Sequence, residues 1–199
     1  MRDGNSIEIV TTGREGVTGL SGVVAALGAP FEVTSSIGGP ALQVSTAEFR
    51  EAVQSMPVLV DRLQAFIHAV FAQIGQRSAC AAWHSIEERY AFRLLVAREC
   101  TSNNELPITQ ETIARLLGVR RPGITEVAQD LQRKGLIAQA RGRITIIDPH
   151  GLEQVACECL PTIREVYLRR LPWLAASLAK AGVAPATGYG VAAAQLKIA

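Results

Sequence analysis

The stretch that decides the fold runs from Ile108 to Ile147 and reads ITQETIARLLGVRRPGITEVAQDLQRKGLIAQARGRITII. Its first part predicts a short helix that Thr109 caps, with apolar residues three and four positions apart. Gly118 falls where this helix must end, because glycine enters the left-handed conformation at little cost. A second helix opens at Arg120, with a proline in its first turn where no intrahelical N–H bond is needed, and Gly135 closes it. Two short helices joined by a tight turn predict a helix-turn-helix.

Two β-rich runs follow the helix pair, at residues 136–139 and 143–147. They predict a small β-hairpin, or wing, with the basic sequence Arg141-Gly142-Arg143 at its tip. Arginines at such a tip are suited to lie along a sugar-phosphate backbone. A helix pair packed for structural reasons alone is the competing interpretation. The turn glycine, the wing and the basic tip in this order favour DNA binding.

The outward side of the second predicted helix carries long or polar side chains that can reach base edges in a major groove. Its candidates for base contact are Arg121, Thr125, Glu126 and Gln129. A further set fits phosphate contact, through a guanidinium group or through the amides at a helix start. The phosphate candidates are Thr109, Gln110, Arg120, Arg141 and Arg143.

The distribution of charge agrees with this placement. The net charge of the 199 residues is only +2, so nothing global requires a polyanionic partner. Residues 1–99 carry 8 basic and 10 acidic side chains, whereas residues 100–199 carry 12 and 8. The positive excess therefore lies in the half that contains the helix-turn-helix, as an electrostatic footprint for DNA should.

The four cysteines are Cys80, Cys100, Cys157 and Cys159. No two of them have the two-residue gap that is typical of zinc knuckles and thioredoxin-like sites. Reduced and mostly buried thiols are the favoured interpretation, over a metal or redox site. The sequence thus predicts no metal ion and no cofactor.

No apolar run is predicted to span a bilayer. Residues 17–29 are apolar enough to suggest the core of a signal peptide, but Asp3, Glu8 and Glu15 precede them. We therefore expect a cytoplasmic protein without a membrane partner.

The first 45 residues read as turn-rich β structure. A turn signal at residues 3–5 precedes an alternating run at residues 7–10, and residues 31–37 and 41–44 predict two further strands. So few strands cannot close a barrel or bury both faces of a sheet. Either partner strands are missing, or another subunit supplies them.

Two helices are expected next. A short one covers residues 46–54 with Thr46 as its cap, and a long one runs from about Pro57 to His84, roughly 40 Å at ~1.5 Å per residue. The long helix carries a coiled-coil seam, and Leu59, Phe66 and Phe71 lie beside this seam as a second stripe that is expected to pack on the β-rich segment. A single stripe would fit docking on the same chain, whereas two stripes on one helix favour a dimer. The predicted dimer seam is Val60, Leu63, Ile67, Val70 and Ile74, and Arg77 interrupts it and needs a partner or solvent.

Ser85 and Glu88 have the spacing of a capping box, so a new helix begins there and runs to about Cys100. The break between His84 and Ser85 predicts a hinge. Another helix is expected at residues 152–170, ended by Pro172, and residues 181–199 are expected to be frayed. This gives four regions: a sensor segment at 1–54, a dimerisation helix at 55–84, a winged helix-turn-helix at 85–160, and a C-terminal helix with a tail at 161–199.

In this arrangement the chain resembles the Crp/Fnr family of bacterial transcription regulators. The likeness is strongest from Ser85 to Cys159, through LPITQETIARLLGVRRPGITEVAQDLQRKGLI, RGRITIID and CEC, and continues more weakly through GNSIEIVTTGREGVTGL. It implies an α+β fold with a partial cyclic-nucleotide-binding-like β-roll, a long dimerisation helix and a C-terminal winged helix-turn-helix. It also implies a homodimer on a two-fold symmetric operator, with RNA polymerase as a further candidate partner. Arg121 matches the family's frequent guanine-contacting arginine, Glu126 is an acceptor for cytosine N4, and Pro122 stands where many members carry a glutamate.

The sensor segment departs from the family at the positions that bind cyclic nucleotide. Members that bind it use a Gly-Glu-x-Gly turn and an Arg-Ser-Ala segment, where this chain has GREG at residues 13–16 and PFE at residues 30–32. The carboxylate of Glu32 would repel the cyclic phosphate, and Ile74 and Gly75 replace the hydroxyls that contact the base. The N-terminal cysteine cluster of the iron–sulfur members is absent too. The resemblance therefore predicts neither cyclic-nucleotide binding nor an iron–sulfur cluster, and names no effector.

Three functional classes follow from the sequence. The first is a dimeric DNA-binding regulator, and the second is a protein-interaction module with a degenerate winged helix and a partner-binding long helix. The third is an enzyme, for which we find no nucleophile–base motif, metal-ligand spacing or phosphate loop, and no catalytic residue is assigned. The scattered histidines His68, His84 and His150 are better interpreted as surface or satisfied core residues. The basic tip of the wing favours the first class.

Overall fold

The computed structural model describes residues 6–13, 15–21 and 31–172. The fold class is α+β, as predicted, with a small antiparallel sheet among helices. The predicted turn at residues 3–5 and the tail at residues 181–199 lie outside the described residues. The helices are α1 (Thr46–Ser55), α2 (Pro57–Trp83), α3 (Ile86–Thr101), α4 (Gln110–Leu117), α5 (Arg121–Arg133), α6 (Pro149–Val155) and α7 (Cys159–Arg170), and the strands are β1 (Glu105–Leu106), β2 (Ile137–Ala140) and β3 (Arg143–Ile146).

Helices α4 and α5 form the predicted helix-turn-helix, and local signals set their ends. The hydroxyl of Thr109 accepts a hydrogen bond from the amide of Thr112 and caps α4. Gly118 ends α4 at a φ of 65°, and the next amide, that of Val119, bonds back to the carbonyl of Ala114 at 3.0 Å. This is a Schellman closure, in which only glycine avoids a steric penalty.

Helix α5 closes in the same way, and this closure corrects the predicted start of the wing. Gly135 has a φ of 73°, and the amide of Leu136 bonds to the carbonyl of Leu131 at 3.0 Å. Leu136 therefore belongs to the helix closure, and β2 begins one residue later than expected. The sheet has the order β1-β3-β2, with β3 antiparallel to both neighbours and Gly142 at the tip.

The core of the C-terminal part is built around α3. Tyr90, Phe92, Leu94 and Leu95 are all at most 2% exposed. All of residues 89–95 are buried, so every side of this part of the helix is covered. A helix that is buried all round has no amphipathic period. The capping box that begins α3 is present as predicted, because the Ser85 hydroxyl and the Glu88 carboxylate each accept from the other's backbone amide.

Four local predictions upstream are wrong, namely one helix cap and three strands. Ser45, not Thr46, caps α1, because Ser45 forms a capping box with Glu48 three residues into the helix. Residues 7–10, 31–37 and 41–44 form no strand in the described part of the chain. Strands need hydrogen-bonded neighbours, and alternation of side chains alone supplies none.

The predicted single helix at residues 152–170 is also wrong, because it is two helices. Ala156 adopts an extended conformation with a φ of −66° and a ψ of 147°, which ends α6 and separates it from α7. The break brings Cys157 and Cys159 to the end of α2, against which α7 packs. Arg164 then ties α7 to α3 through a hydrogen bond of 2.7 Å to Glu99.

Helix α2 has the predicted length but a different set of contacts from those expected. Phe66 is buried at 4% exposure, whereas Phe71 is 70% exposed, which corrects the prediction that Phe71 is packed. By length and composition alone α2 could cross a membrane, contrary to the expectation that no run reached that length. Its polar members are held by the same chain, however: Gln73 accepts from the amide of Thr11 at 3.0 Å, and Arg77 pairs with Glu8. Such partners are those of a helix in a folded domain.

Candidate nucleic-acid interface

Helix α5 presents its predicted contact face to solvent. Ile124, Ala128 and Leu131 are buried against α4 and the core, while Arg121, Glu126 and Gln129 on the other side are exposed. The exposed side is therefore not covered by the chain itself. A helix with a free polar face at this place in a helix-turn-helix is suited to enter a major groove.

Thr125, the remaining candidate for base contact, is half-buried and has an internal role. Its hydroxyl lies 2.8 Å from Oε1 of Gln110 and 3.2 Å from the carbonyl of Arg121, and it can donate to either. Gln110 in turn donates to Oε1 of Gln139 in β2 at 2.5 Å, and Gln139 donates to Gln132 at 3.4 Å. This chain of side-chain hydrogen bonds from Thr125 to Gln132 joins α4, α5 and the wing. Sequence analysis did not foresee it, because its members lie on three different elements.

Two of the predicted contact arginines already have acidic neighbours. The Nε of Arg121 lies 3.8 Å from a carboxylate oxygen of Glu111, and Arg143 contacts Glu105 at 3.0 Å. All four side chains are more than half exposed. Exposed pairs of this kind contribute about 0–1 kcal/mol, so a phosphate or base can replace the carboxylate at little cost.

The other phosphate candidates surround α5. Arg120 precedes the helix, Arg141 lies at the tip of the wing, and both are exposed and form no ion pair within the described residues. The start of α4 offers amides, because Thr109 satisfies only that of Thr112, and the amides of Gln110 and Glu111 precede the first intrahelical bond. The structure thus brings together the helix start, the exposed side of α5 and the wing tip.

A buried carboxylate fixes the N-terminal segment to the same domain, and the sequence did not single it out. Glu8 is 8% exposed, accepts from the hydroxyl of Thr11 at 2.8 Å, and contacts Arg77 of α2 at 3.3 Å and Arg93 of α3 at 3.2 Å. The guanidinium of Arg77 also lies over the ring of Phe92, 5.0 Å from its centre. Burial lowers the pKa of Arg77, and the Glu8 carboxylate acts in the opposite direction.

The backbone at Glu8 extends this connection to the helix-turn-helix. The amide of Glu8 donates to the carbonyl of Leu116 in α4 at 2.9 Å, so one short segment joins α2, α3 and α4. The position of α4 relative to the long helix therefore depends on residues 6–13.

The predicted dimer seam lies on the partly open side of α2. Its five residues are all half-buried, and one of them, Val70, packs against the chain's own core. Only four of the 27 residues of the helix are buried. Those four, which face the chain's own core, are Phe66, Ala69, Gln73 and Cys80.

The turn that would hold a cyclic phosphate is filled by the chain itself. The amide of Gly13 donates to the Glu15 carboxylate at 2.8 Å, and a Cβ at Gly16 would lie 2.2 Å from the ring of Phe66. In the described part of this turn, a carboxylate of the same chain therefore contacts the Gly13 amide, and a phenyl ring packs against Gly16.

Taken together, the fold and the exposed face define a winged helix-turn-helix protein. Residues 88–155 match the family described as the Crp-like helix-turn-helix domain, which confirms the predicted resemblance to Crp/Fnr regulators over this part of the chain. A similar solved structure is that of a candidate transcriptional regulator of the Crp/Fnr family from Eubacterium rectale, with 29% sequence identity and a TM-score of 0.44. The match covers 55% of this chain and 51% of the length of that one. No curated protein matches the chain.

Proposed function

We propose that this chain is a non-catalytic, cytoplasmic, DNA-binding transcription regulator that acts as a homodimer on a two-fold symmetric operator. The observation that supports the proposal best is the exposed face of α5, flanked by the α4 start and the arginine-tipped wing, within a Crp-like helix-turn-helix domain. In such a dimer each α5 occupies a major groove, one helical turn of DNA apart. Arg121 is assigned to contact a guanine, and Glu126 and Gln129 are assigned to neighbouring bases. The chain of side-chain hydrogen bonds that begins at Thr125 holds the wing in place.

The direct experiment is selection of bound sites from random duplex DNA by the full chain. A two-fold symmetric consensus with half-sites about 10 base pairs apart, centre to centre, is the expected result. An asymmetric consensus would contradict the dimer, and no enrichment would contradict DNA binding. The latter outcome would favour the interaction module, in which the winged helix has lost its DNA affinity.

We expect the affinity for DNA to fall steeply with salt. Each protomer has three phosphate-contacting arginines, so the dimer displaces about six counterions. The logarithm of the binding constant should then fall with the logarithm of the salt concentration at a slope of about −5. Between 50 and 200 mM salt this amounts to a loss of about 10³ in affinity. Fluorescence anisotropy of a labelled duplex, titrated at four salt concentrations, measures the slope. A slope near zero would show that phosphate contacts do not carry the binding.

A substitution in the predicted seam of α2 tests the dimer. Ile67→Asp places a carboxylate in the apolar interface between two α2 helices, and we expect the dimer dissociation constant to rise about tenfold, equivalent to 1.4 kcal/mol. Sedimentation velocity over a range of protein concentrations reports this change. His68→Asp, at an exposed position one residue along the same helix, is the matched control and should leave the dimer intact. Equal behaviour of the two variants would place the interface elsewhere.

The sensor segment is not assigned to cyclic nucleotides. The contact of Glu15 with the Gly13 amide and the packing of Phe66 against Gly16 support this part of the proposal. Calorimetric titration with cyclic AMP and cyclic GMP should give no heat of binding, and micromolar affinity for either would overturn it.

A further inference from the structure

Three cysteines and one histidine from distant parts of the chain meet beside the predicted hinge. Cys80 lies in the last turn of α2 and His84 is its C-terminal cap, whereas Cys157 and Cys159 flank the start of α7. Their sulfur atoms and a ring nitrogen of His84 all lie within 4.8 Å of one another. The three cysteines are at most 3% exposed.

The separations are those of ligands around one small ion. The Sγ atoms of Cys80 and Cys157 are 3.6 Å apart, and Sγ of Cys159 lies 3.4 Å from Nδ1 of His84. In a tetrahedral zinc site, Zn–S bonds of about 2.3 Å and Zn–N bonds of about 2.0–2.1 Å place neighbouring ligand atoms about 3.5–3.8 Å apart. A disulfide needs an S–S distance of about 2.05 Å, which is far shorter than the separation seen here.

The surroundings of the four groups are also those of a metal centre. The Nε2 atom of His84 lies 3.0 Å from a carboxylate oxygen of Glu158, so a proton on Nε2 is donated to that carboxylate. Nδ1 then faces the thiols without a proton, and its lone pair is available to a metal ion. Metal-bound histidines almost always have such an outer partner, which fixes the tautomer and the ring orientation. The side-chain amide of Gln76 donates to Sγ of Cys159 at 3.1 Å, which stabilises a thiolate there.

We propose that Cys80, His84, Cys157 and Cys159 bind one zinc ion in a closed, structural Cys₃His site. The thiols that still carry protons release them to solvent when the ion binds, and no electron transfer is involved. Four protein ligands leave no open position for a catalytic water. This site is independent of the assigned DNA contacts, none of which takes part in it.

The position of the proposed zinc site allows the ion to join two helices. Two ligands end the long helix and two open α7, so the ion joins these elements across the break at His84 and Ser85. The orientation of the winged domain relative to α2, and therefore the spacing of two α5 helices in a dimer, is fixed more firmly when zinc is bound.

The site is tested on the full chain, purified with reductant and without chelator. Elemental analysis should give one zinc per chain, and exchange with cobalt(II) should give thiolate-to-cobalt charge-transfer bands together with the intense visible bands of a tetrahedral ion. A chain without tightly bound zinc whose cobalt form has the weak visible bands of an octahedral ion would overturn the proposal. So would iron–sulfur absorption, or a Cys80–Cys157 disulfide that persists in reductant.

Variants identify the ligands. Cys157→Ser should lose stoichiometric zinc, whereas Cys100→Ser, which changes the one cysteine outside the cluster, should keep it. Glu158→Gln keeps all four ligands, so it tests the site even if Cys157→Ser does not fold. We expect it to weaken zinc binding about tenfold in a chelator competition, the low end of the usual range because the carboxylate is 74% exposed. Zinc retained by Cys157→Ser, or affinity unchanged in Glu158→Gln, would contradict the assignment.

Discussion

Replacing Glu8 with alanine is expected to lower the free energy of unfolding by about 3–5 kcal/mol, because it leaves two buried arginines without their shared counter-charge. Arg77 and Arg93 are 9% and 2% exposed and meet the same carboxylate from opposite helices. Without the carboxylate the two positive charges must be solvated by water or exposed. Either outcome disturbs the place where Arg77 of α2 and Arg93 of α3 meet.

The measurement is equilibrium unfolding in urea at one fixed protein concentration, since a dimer's stability depends on concentration. Glu105→Ala is the matched control, because it removes the exposed partner of Arg143 and should cost less than about 1 kcal/mol. A loss below 1 kcal/mol for Glu8→Ala would show that water reaches both arginines. The carboxylate would then have no part in holding residues 6–13 to the domain.

This carboxylate illustrates what the sequence could not predict. Glu8 occupies a polar position in an alternating apolar run, which is the pattern of an edge strand with its polar face in water. Its first partner, Arg77, lies 69 residues further along the chain. Nothing local distinguishes a carboxylate that meets two distant arginines from one that meets water.

The helix-turn-helix was predictable because its determinants are local. Thr109, Gly118, the proline of α5 and Gly135 each act on neighbouring backbone through caps and left-handed turns, and the structure retains every one of them. Strands at residues 7–10 were not predictable in the same way. A strand requires a neighbour, and the pattern of one segment does not say whether a neighbour exists.

The cluster of Cys80, His84, Cys157 and Cys159 was only partly predictable from the sequence. A signal was present, because Cys80 and His84 are four residues apart and so share one face of a helix. The other half, Cys157 and Cys159, required the break between α6 and α7, where the sequence pattern predicted a continuous helix. A spacing rule that looks for two-residue gaps misses ligands that are paired across a fold.

Replacing Arg121 with alanine is expected to cost about 1–3 kcal/mol at each half-site and to relax the preference at one base pair of each. Both protomers carry the change, so the loss on a symmetric operator is about twice this value if the half-sites act independently. The contact with Glu111 does not protect the arginine, because both side chains are about two-thirds exposed and 3.8 Å apart. Affinity for random duplex should change little.

Arg143→Ala is the informative comparison for this prediction, since it removes a charge of the same kind from the wing. We expect it to weaken operator and random DNA alike, and to reduce the salt slope by about 1 for each protomer. Fluorescence anisotropy with both duplexes, at several salt concentrations, separates the two variants. If Arg121→Ala also weakened both duplexes equally, the guanidinium would be a phosphate contact, and the base contacts of α5 would have to come from Glu126 and Gln129 instead.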